Sequence, residues 1–280
     1  MKLKKEYVLN NGVVVPSIGL GTWQSSEEDA YFAVTEALKA GYRHIDTASI
    51  YRNEKAVGQA IADSGIPRSE IFVTTKLWND AHGYEEAKQA FHESLERLGM
   101  DYVDLYLIHW PNPKALRPNW QEPNRQAWKA MEELYEAGLI RAIGVSNFRV
   151  HHLEELFKTA RIIPAINQIR LAPGALQPEV TEWCEQHEIQ VEAYSPFGTG
   201  RLFENETIKK MAEDLGKSPA QIALNWSLSH GFLPLPKSVH QDRIQSNLNV
   251  FDFELSQEQM EIINHLEGLG SNHSPDEMNF

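Results

Sequence analysis

The sequence holds one cysteine, Cys184, so no internal disulfide can form and the chain suits a reducing compartment. Basic residues are outnumbered: 26 Lys and Arg against 39 Asp and Glu leave a net charge of -13. A surface that tracks nucleic-acid phosphates or an anionic membrane needs the opposite balance. Any anion the chain binds must therefore meet a local cluster of cations. No uninterrupted apolar run reaches membrane-spanning length, and the basic start Met1-Lys2-Leu3-Lys4-Lys5 is followed by no apolar signal core. The expected setting is cytoplasmic, with neither membrane nor nucleic acid as partner. The third glycine of a dinucleotide fingerprint is missing, since Gly19 and Gly21 are followed by Gln24 at the place it would occupy. This counts against a doubly wound open sheet. No linker, low-complexity segment or long charge run divides the chain, and one domain over residues 1–280 is expected.

What is present is alternation. Tyr7-Val8-Leu9 and Val13-Val14-Val15 flank Asn10-Asn11-Gly12, which predicts a hairpin with an Asn-Gly turn, suited to lid one end of a barrel. From Ile18 onward strand and helix recur about eight times, with strands near 17–23, 43–46, 71–76, 102–109, 140–145, 164–169, 189–194 and 232–236. Extra helices crowd the C-terminal part, near 205–214, 218–229, 240–248 and 256–266. The pattern is that of a (β/α)8 TIM barrel. Ser25 and Glu28 offer a capping box for the first helix. The loop from Pro111-Asn112-Pro113 through Pro118 and Pro123 is too rich in proline for helix and is a candidate wall of the mouth. The tail 272–280 is polar, and either folds back over that mouth or frays.

In such a barrel the strand ends converge on one face, and here they carry Thr22 and Trp23, Asp46 and Tyr51, Lys76, His109 and Trp110, Ser146 and Asn147, Asn167 and Gln168, Tyr194 and Ser195, and Lys237 and Ser238. Singly each has a structural explanation. Together they indicate a site. An ammonium beside a phenol lowers the phenol pKa, so Lys76 is expected to tune Tyr51 while Asp46 balances the buried Lys76. His109 would orient a substrate oxygen. The set is a general acid for a developing alkoxide, as carbonyl reduction requires. Ser146, Asn147 and Gln168 suit a carboxamide, Tyr194 suits a flat ring, and Lys237 with Arg243 at a helix start suits a phosphate. His151-His152 with Glu154 and Glu155 is not expected to hold a metal, because adjacent histidines on a helix point apart. Cys184 is expected to be structural.

These motifs resemble the aldo-keto reductase superfamily over nearly the full chain: Asp46-Thr47-Ala48 with Tyr51, Thr75-Lys76-Leu77-Trp78, Leu107-Ile108-His109-Trp110-Pro111, Gly144-Val145-Ser146-Asn147-Phe148, Asn167-Gln168, Tyr194-Ser195-Pro196, and Pro236-Lys237-Ser238 with Arg243 and Asn247. The resemblance implies a (β/α)8 barrel, NADPH as cofactor and a small carbonyl as substrate, in a monomer resembling the bacterial members that act on small aldehydes, dicarbonyls and keto sugars. It makes Asp46, Tyr51, Lys76 and His109 the catalytic residues and Tyr51 the proton donor. It assigns the cofactor to Thr22, Ser146, Asn147, Gln168, Tyr194, Ser195, Phe197, Gly198, Arg201, Lys237, Ser238, Val239, Arg243 and Asn247, and the substrate to Trp23, Tyr51, Trp78, His109 and Trp110. Ser246 stands where relatives often have a carboxylate or Gln against the adenine. Gln24 and Arg201 replace a Lys and Asp clasp of some relatives, so Arg201 is expected to meet the pyrophosphate directly. Two other functions fit parts of the pattern: a Schiff-base aldolase using Lys76, and a nucleotide-binding auxiliary or sensor subunit.

Overall fold

The computed structural model describes residues 3–267, 269 and 274–280. Tail positions 272 and 273 lie outside them. Strand β1 (Glu6–Val8) pairs antiparallel with β2 (Val14–Pro16), Tyr7 opposite Val15. Gly12 makes the turn at φ 84°, its N–H donating to Leu9 O at 2.8 Å. Positive φ is what an Asn-Gly turn asks of its glycine. The hairpin buries Leu9 and Val15 against Phe72, Leu105, Ile166 and Leu233, plugging one end of the barrel as the sequence predicts.

The barrel strands are β3 (Leu20–Gly21), β4 (His44–Asp46), β5 (Phe72–Leu77), β6 (Val103–Ile108), β7 (Ile140–Ser146), β8 (Ile166–Arg170), β9 (Gln190–Tyr194) and β10 (Leu233–Leu235). They pair in parallel and in sequence order from β3 to β10. The ring closes through Gly19 N to Pro234 O at 3.1 Å and Gly21 N to Pro236 O at 3.0 Å. Gly19 permits this approach, because a Cβ there would lie 2.7 Å from the Leu235 side chain and 2.8 Å from the His44 ring.

Helices α1 (Glu27–Ala40), α2 (Glu54–Asp63), α3 (Tyr84–Leu98), α4 (Gln121–Glu136), α5 (Val150–Phe157), α6 (Pro178–Gln186), α7 (Glu206–Leu215), α8 (Pro219–Ser229), α9 (Gln241–Leu248) and α10 (Gln257–Asn264) complete the chain. Each turns its apolar stripe inward; α3 buries Ala87, Phe91, Leu95 and Leu98, spaced by one helical turn. One cap differs from expectation. Ser26, not Ser25, accepts from Asp29 N at 3.0 Å, and Ser25 is buried with its N–H on Thr22 O. Among the described residues no helix is long and apolar enough to cross a membrane.

Candidate active site

Strand β4 ends at Asp46 and β5 carries Lys76 one residue before its end, so both side chains enter the mouth at the carboxyl end of the barrel. Lys76 has no exposed surface and donates to Asp46 Oδ1 at 2.7 Å, Asp46 Oδ2 at 2.8 Å and Thr47 O at 2.9 Å. Its Nζ lies 3.4 Å from the Tyr51 hydroxyl. Tyr51 stands on a single 3-10 turn, Ser49–Tyr51, which Ser49 ties down through its hydroxyl to Lys76 O at 3.0 Å. The His109 ring meets Tyr51 edge-on at 5.8 Å and Trp78 at 5.1 Å.

Burial alone would lower the Lys76 pKa, but Asp46 foremost, and Tyr51 and Glu192 with it, raise it above the usual lysine value. A lysine held as ammonium is a poor nucleophile, which counts against a Schiff-base aldolase. Burial also holds His109 well below the usual histidine value, helped by Lys76 and His82, so its imidazole is neutral. Tyr51 corrects an expectation. Lys76 does pull its pKa down, but burial outweighs that pull and the phenol titrates above 10.0, so it rests protonated.

These groups open into a cleft of about 890 Å³. Its lining includes Trp23, Asp46, Tyr51, Trp78, His109, Trp110, Ser146, Asn147, Gln168, Tyr194, Ser195, Phe197, Arg201 and Lys237. Thr22, Gly198, Ser238, Val239, Arg243 and Asn247 are not among the lining residues. Thr22 is buried, its hydroxyl donating to Asp46 O at 2.9 Å, and Asn247 is buried on α9. Asn147 commits both amide ends within the protein: Nδ2 donates to His109 O at 2.9 Å and Oδ1 accepts from the Tyr194 hydroxyl at 2.7 Å. The Tyr194 ring is thereby fixed beside the cleft. Gln168 turns its nitrogen inward, to Asp46 Oδ2 at 2.8 Å and Glu192 Oε2 at 2.6 Å.

Residues 274–280 do fold back over the mouth. Phe280 stacks on Trp78 at 5.8 Å and meets Trp110 edge-on at 5.0 Å, and Pro275 and Met278 also line the cleft. The proline-rich loop after β6 holds this tail rather than walling the cleft itself: Lys114 N donates to Phe280 O at 2.9 Å and Arg117 to Met278 O at 2.6 Å. Asp276 accepts from Asn112 at 2.7 Å and sits 3.0 Å from His152 Nε2 and 3.2 Å from His151 Nε2. The two rings lie 3.8 Å apart, so the adjacent histidines converge where divergence was expected. His152 Nδ1 accepts from Arg149 N at 3.1 Å, which leaves the ring proton on Nε2, facing Asp276. A metal ligand at that nitrogen would have to be bare. Asn112 and His152 hydrogen-bond Asp276 and His151 stands beside them, so the cluster ties the tail to α5.

The pattern of the Aldo/keto reductase family matches residues 17–267. The chain belongs to this family. It is 48% identical over 282 residues to glyoxal reductase of Bacillus subtilis, covering 99% of both chains. It is 43% identical over 254 residues to methylglyoxal reductase DkgA of Escherichia coli, 90% of each. The crystal structure of a Bombyx mori aldo-keto reductase in complex with NADP superposes with a TM-score of 0.87 at 36% identity, covering 98% of this chain and 95% of that one. In this aldo/keto reductase, an oxidoreductase, Asp46, Tyr51 and His109 thus share one cleft at the barrel mouth, with Lys76 behind them. Sequence reasoning missed Glu192 and His44 beneath that site, and Met278 and Phe280 above it. Glu192 had a signal, being an acid at an inward position between Val191 and Ala193.

Proposed function

We propose that the chain reduces small aldehydes and ketones, among them dicarbonyls such as glyoxal and methylglyoxal, with NADPH. The observation that carries this is the Tyr51 hydroxyl 3.4 Å from an ammonium pinned by Asp46, in a cleft shared with a neutral His109. The dinucleotide fits the residues present: a tethered aromatic ring, Tyr194, at the deep end, and exposed cations, Arg201 and Lys237, at the outer end. When bound, the reduced nicotinamide supplies a hydride to the carbonyl carbon. Tyr51 gives its proton to the carbonyl oxygen, and Lys76 stabilises the phenolate that remains. Neutral His109 donates one ring N–H to the same oxygen and orients it. Ser146, the free lone pair of Asn147 Oδ1 and the Gln168 amide oxygen receive the carboxamide. Arg201, with Ser195 and Phe197, takes the pyrophosphate, while Gly198, buried against the Leu269 backbone, shapes the loop that carries Arg201. Lys237 at the cleft and exposed Arg243 beyond its lining take the 2'-phosphate, with Ser238 and Val239 next to Lys237 in the chain and Asn247 buried one helical turn after Arg243, toward the adenine. Trp23, Trp78 and Trp110 form an apolar wall against which varied small carbonyls pack, which favours broad specificity.

The first test is steady-state turnover of NADPH with glyoxal, methylglyoxal, simple aldehydes and keto sugars. Tyr51→Phe should bind NADPH as the wild type does while kcat falls by about 10²–10⁴-fold, the range for loss of a positioned acid. Replacing Lys237 and Arg243 by neutral residues should weaken NADPH more than NADH; equal weakening of both would overturn the phosphate assignment. Arg201→Ala with unchanged NADPH affinity would remove Arg201 from the pyrophosphate.

A further inference from the structure

Glu192 is an acid that the proposed reaction leaves unused, and it is fully buried. Strand register places it beside Gln168 on β8 and Leu233 on β10. Its Oε2 accepts from Gln168 Nε2 at 2.6 Å, while its Oε1 has no hydrogen-bond partner and lies 3.5 Å from His44 Nε2. The same Gln168 nitrogen reaches Asp46 Oδ2 at 2.8 Å, so one amide bridges two carboxyl groups. Asp46 already balances Lys76, the ammonium in this group. The groups around Glu192 are His44, Asp46 and Thr74 from β4 and β5, Lys76 from β5, Gln168 from β8 and, beyond Lys76, Tyr51; β10 contributes the apolar Leu233. A second buried carboxylate here would have no cation of its own.

We propose that Glu192 is a resident carboxylic acid, uncharged in the working enzyme, and that it serves as a positioning residue: through Gln168 it keeps the amide nitrogen turned inward beside Asp46, and by staying neutral it keeps the charge next to Tyr51 balanced. Protonation on Oε1 gives the otherwise partnerless oxygen a hydrogen to donate to His44 Nε2. His44 Nε2 accepts it with the ring proton on Nδ1, sharing that nitrogen with the Thr74 hydroxyl at 3.2 Å, and burial, which drives the ring pKa down to about 3, keeps the imidazole neutral. With both Gln168 hydrogens committed to carboxyl oxygens, its amide oxygen is the end left for the cleft. The link to Tyr51 is electrostatic: an ionised Glu192 makes the phenol a weaker acid.

The role in catalysis rests on the reductase reading; the protonation state does not. Infrared spectra of the full chain at pH 7, with carbon-13-labelled glutamate, should show a protonated carboxyl band that fades as pH rises through about 8 and is missing from Glu192→Gln. A spectrum without that band, or with it intact in the variant, overturns the assignment whether or not the variant folds. In the alcohol-oxidation direction, where Tyr51 must accept a proton, Glu192→Gln should move the rising limb of kcat/KM to lower pH by roughly half a unit, the size of one partly screened charge. An unmoved limb with an altered infrared band shows a neutral acid that does not act on Tyr51, and ends the positioning role. Absence of NADPH turnover in the wild type would instead sink the reductase reading and leave the infrared result standing.

Discussion

A lysine with none of its surface in water is tolerable only with acceptors on every hydrogen, and Lys76 has three oxygens within 2.9 Å. Removing Asp46 leaves that ammonium buried without its counter-ion, so Asp46→Ala should cost about 3–5 kcal/mol in denaturant unfolding. Replacing both at once with apolar residues should cost clearly less than the sum of the single changes, which a double-mutant cycle reads directly. Glu192 makes the opposite kind of statement. Its pKa, raised to about 8 by burial first and Asp46 second, lies above the unfolded value near 4.5, so folding favours the protonated form. The stability it contributes is complete below 4.5 and is lost as pH rises toward 8. Wild type should therefore lose stability relative to Glu192→Gln between pH 5 and pH 8, with the gap level above that. A gap that stays constant across the range would mean that the acid ionises alike in both states.

At the scale of elements the tail is the part with the least local support. Residues 274–280 contain no helix or strand, and their position depends on the clasp of Asp276 by Asn112, His151 and His152 and on the Phe280 ring between Trp78 and Trp110. His152 is held down to about 4 by burial and by His151, against the pull of Asp276, so the folded state keeps it neutral. Because the unfolded or released form protonates near 6.5, the clasp loses stability as pH falls from there toward 4. Tryptophan fluorescence should report tail release in that window, and Asp276→Asn should release it at neutral pH. Release removes the Phe280 side of the cleft, so KM for small aldehydes should rise severalfold with kcat little changed, since no acid or base is touched. The clasp was invisible in the sequence, where Asp276 stands 124 residues beyond His152. The same limit hid the Gln168–Glu192 bridge and the net direction of the Tyr51 shift, for burial is set by the packed whole. What could be read was whatever repeats or sits at a strand end: the eight strands, the hairpin from its Asn-Gly turn, and Asp46, Tyr51, Lys76 and His109. The first helix cap was misread by one residue because Ser25 and Ser26 are equivalent as letters and only the direction of the chain after Trp23 separates them.

The whole molecule sets two fields against each other. A chain of net charge -13 repels an anionic dinucleotide at a distance. Yet among the described residues lining the cleft are two exposed cations, Arg201 and Lys237, and one acid, Asp46, which Lys76 already balances. The repulsive carboxylates are spread over the outer helices, as on α3 and α10, while the attractive groups lie around one mouth. Salt separates the two by range. Between roughly 0.01 M and 0.1 M the screening length shrinks from about 30 Å to about 10 Å, which silences carboxylates across the molecule before it reaches cations lining the mouth. The association rate for NADPH should therefore hold or rise over that interval in stopped-flow fluorescence. Toward 1 M, where the length is about 3 Å, the local attraction is screened too and the rate should fall. Replacing Lys237 by Met should flatten the high-salt fall and leave the low-salt rise in place, because it removes part of the near field and almost none of the far one. A rate that fell steadily from the lowest salt upward would mean that the mouth outweighs the rest of the surface at every range.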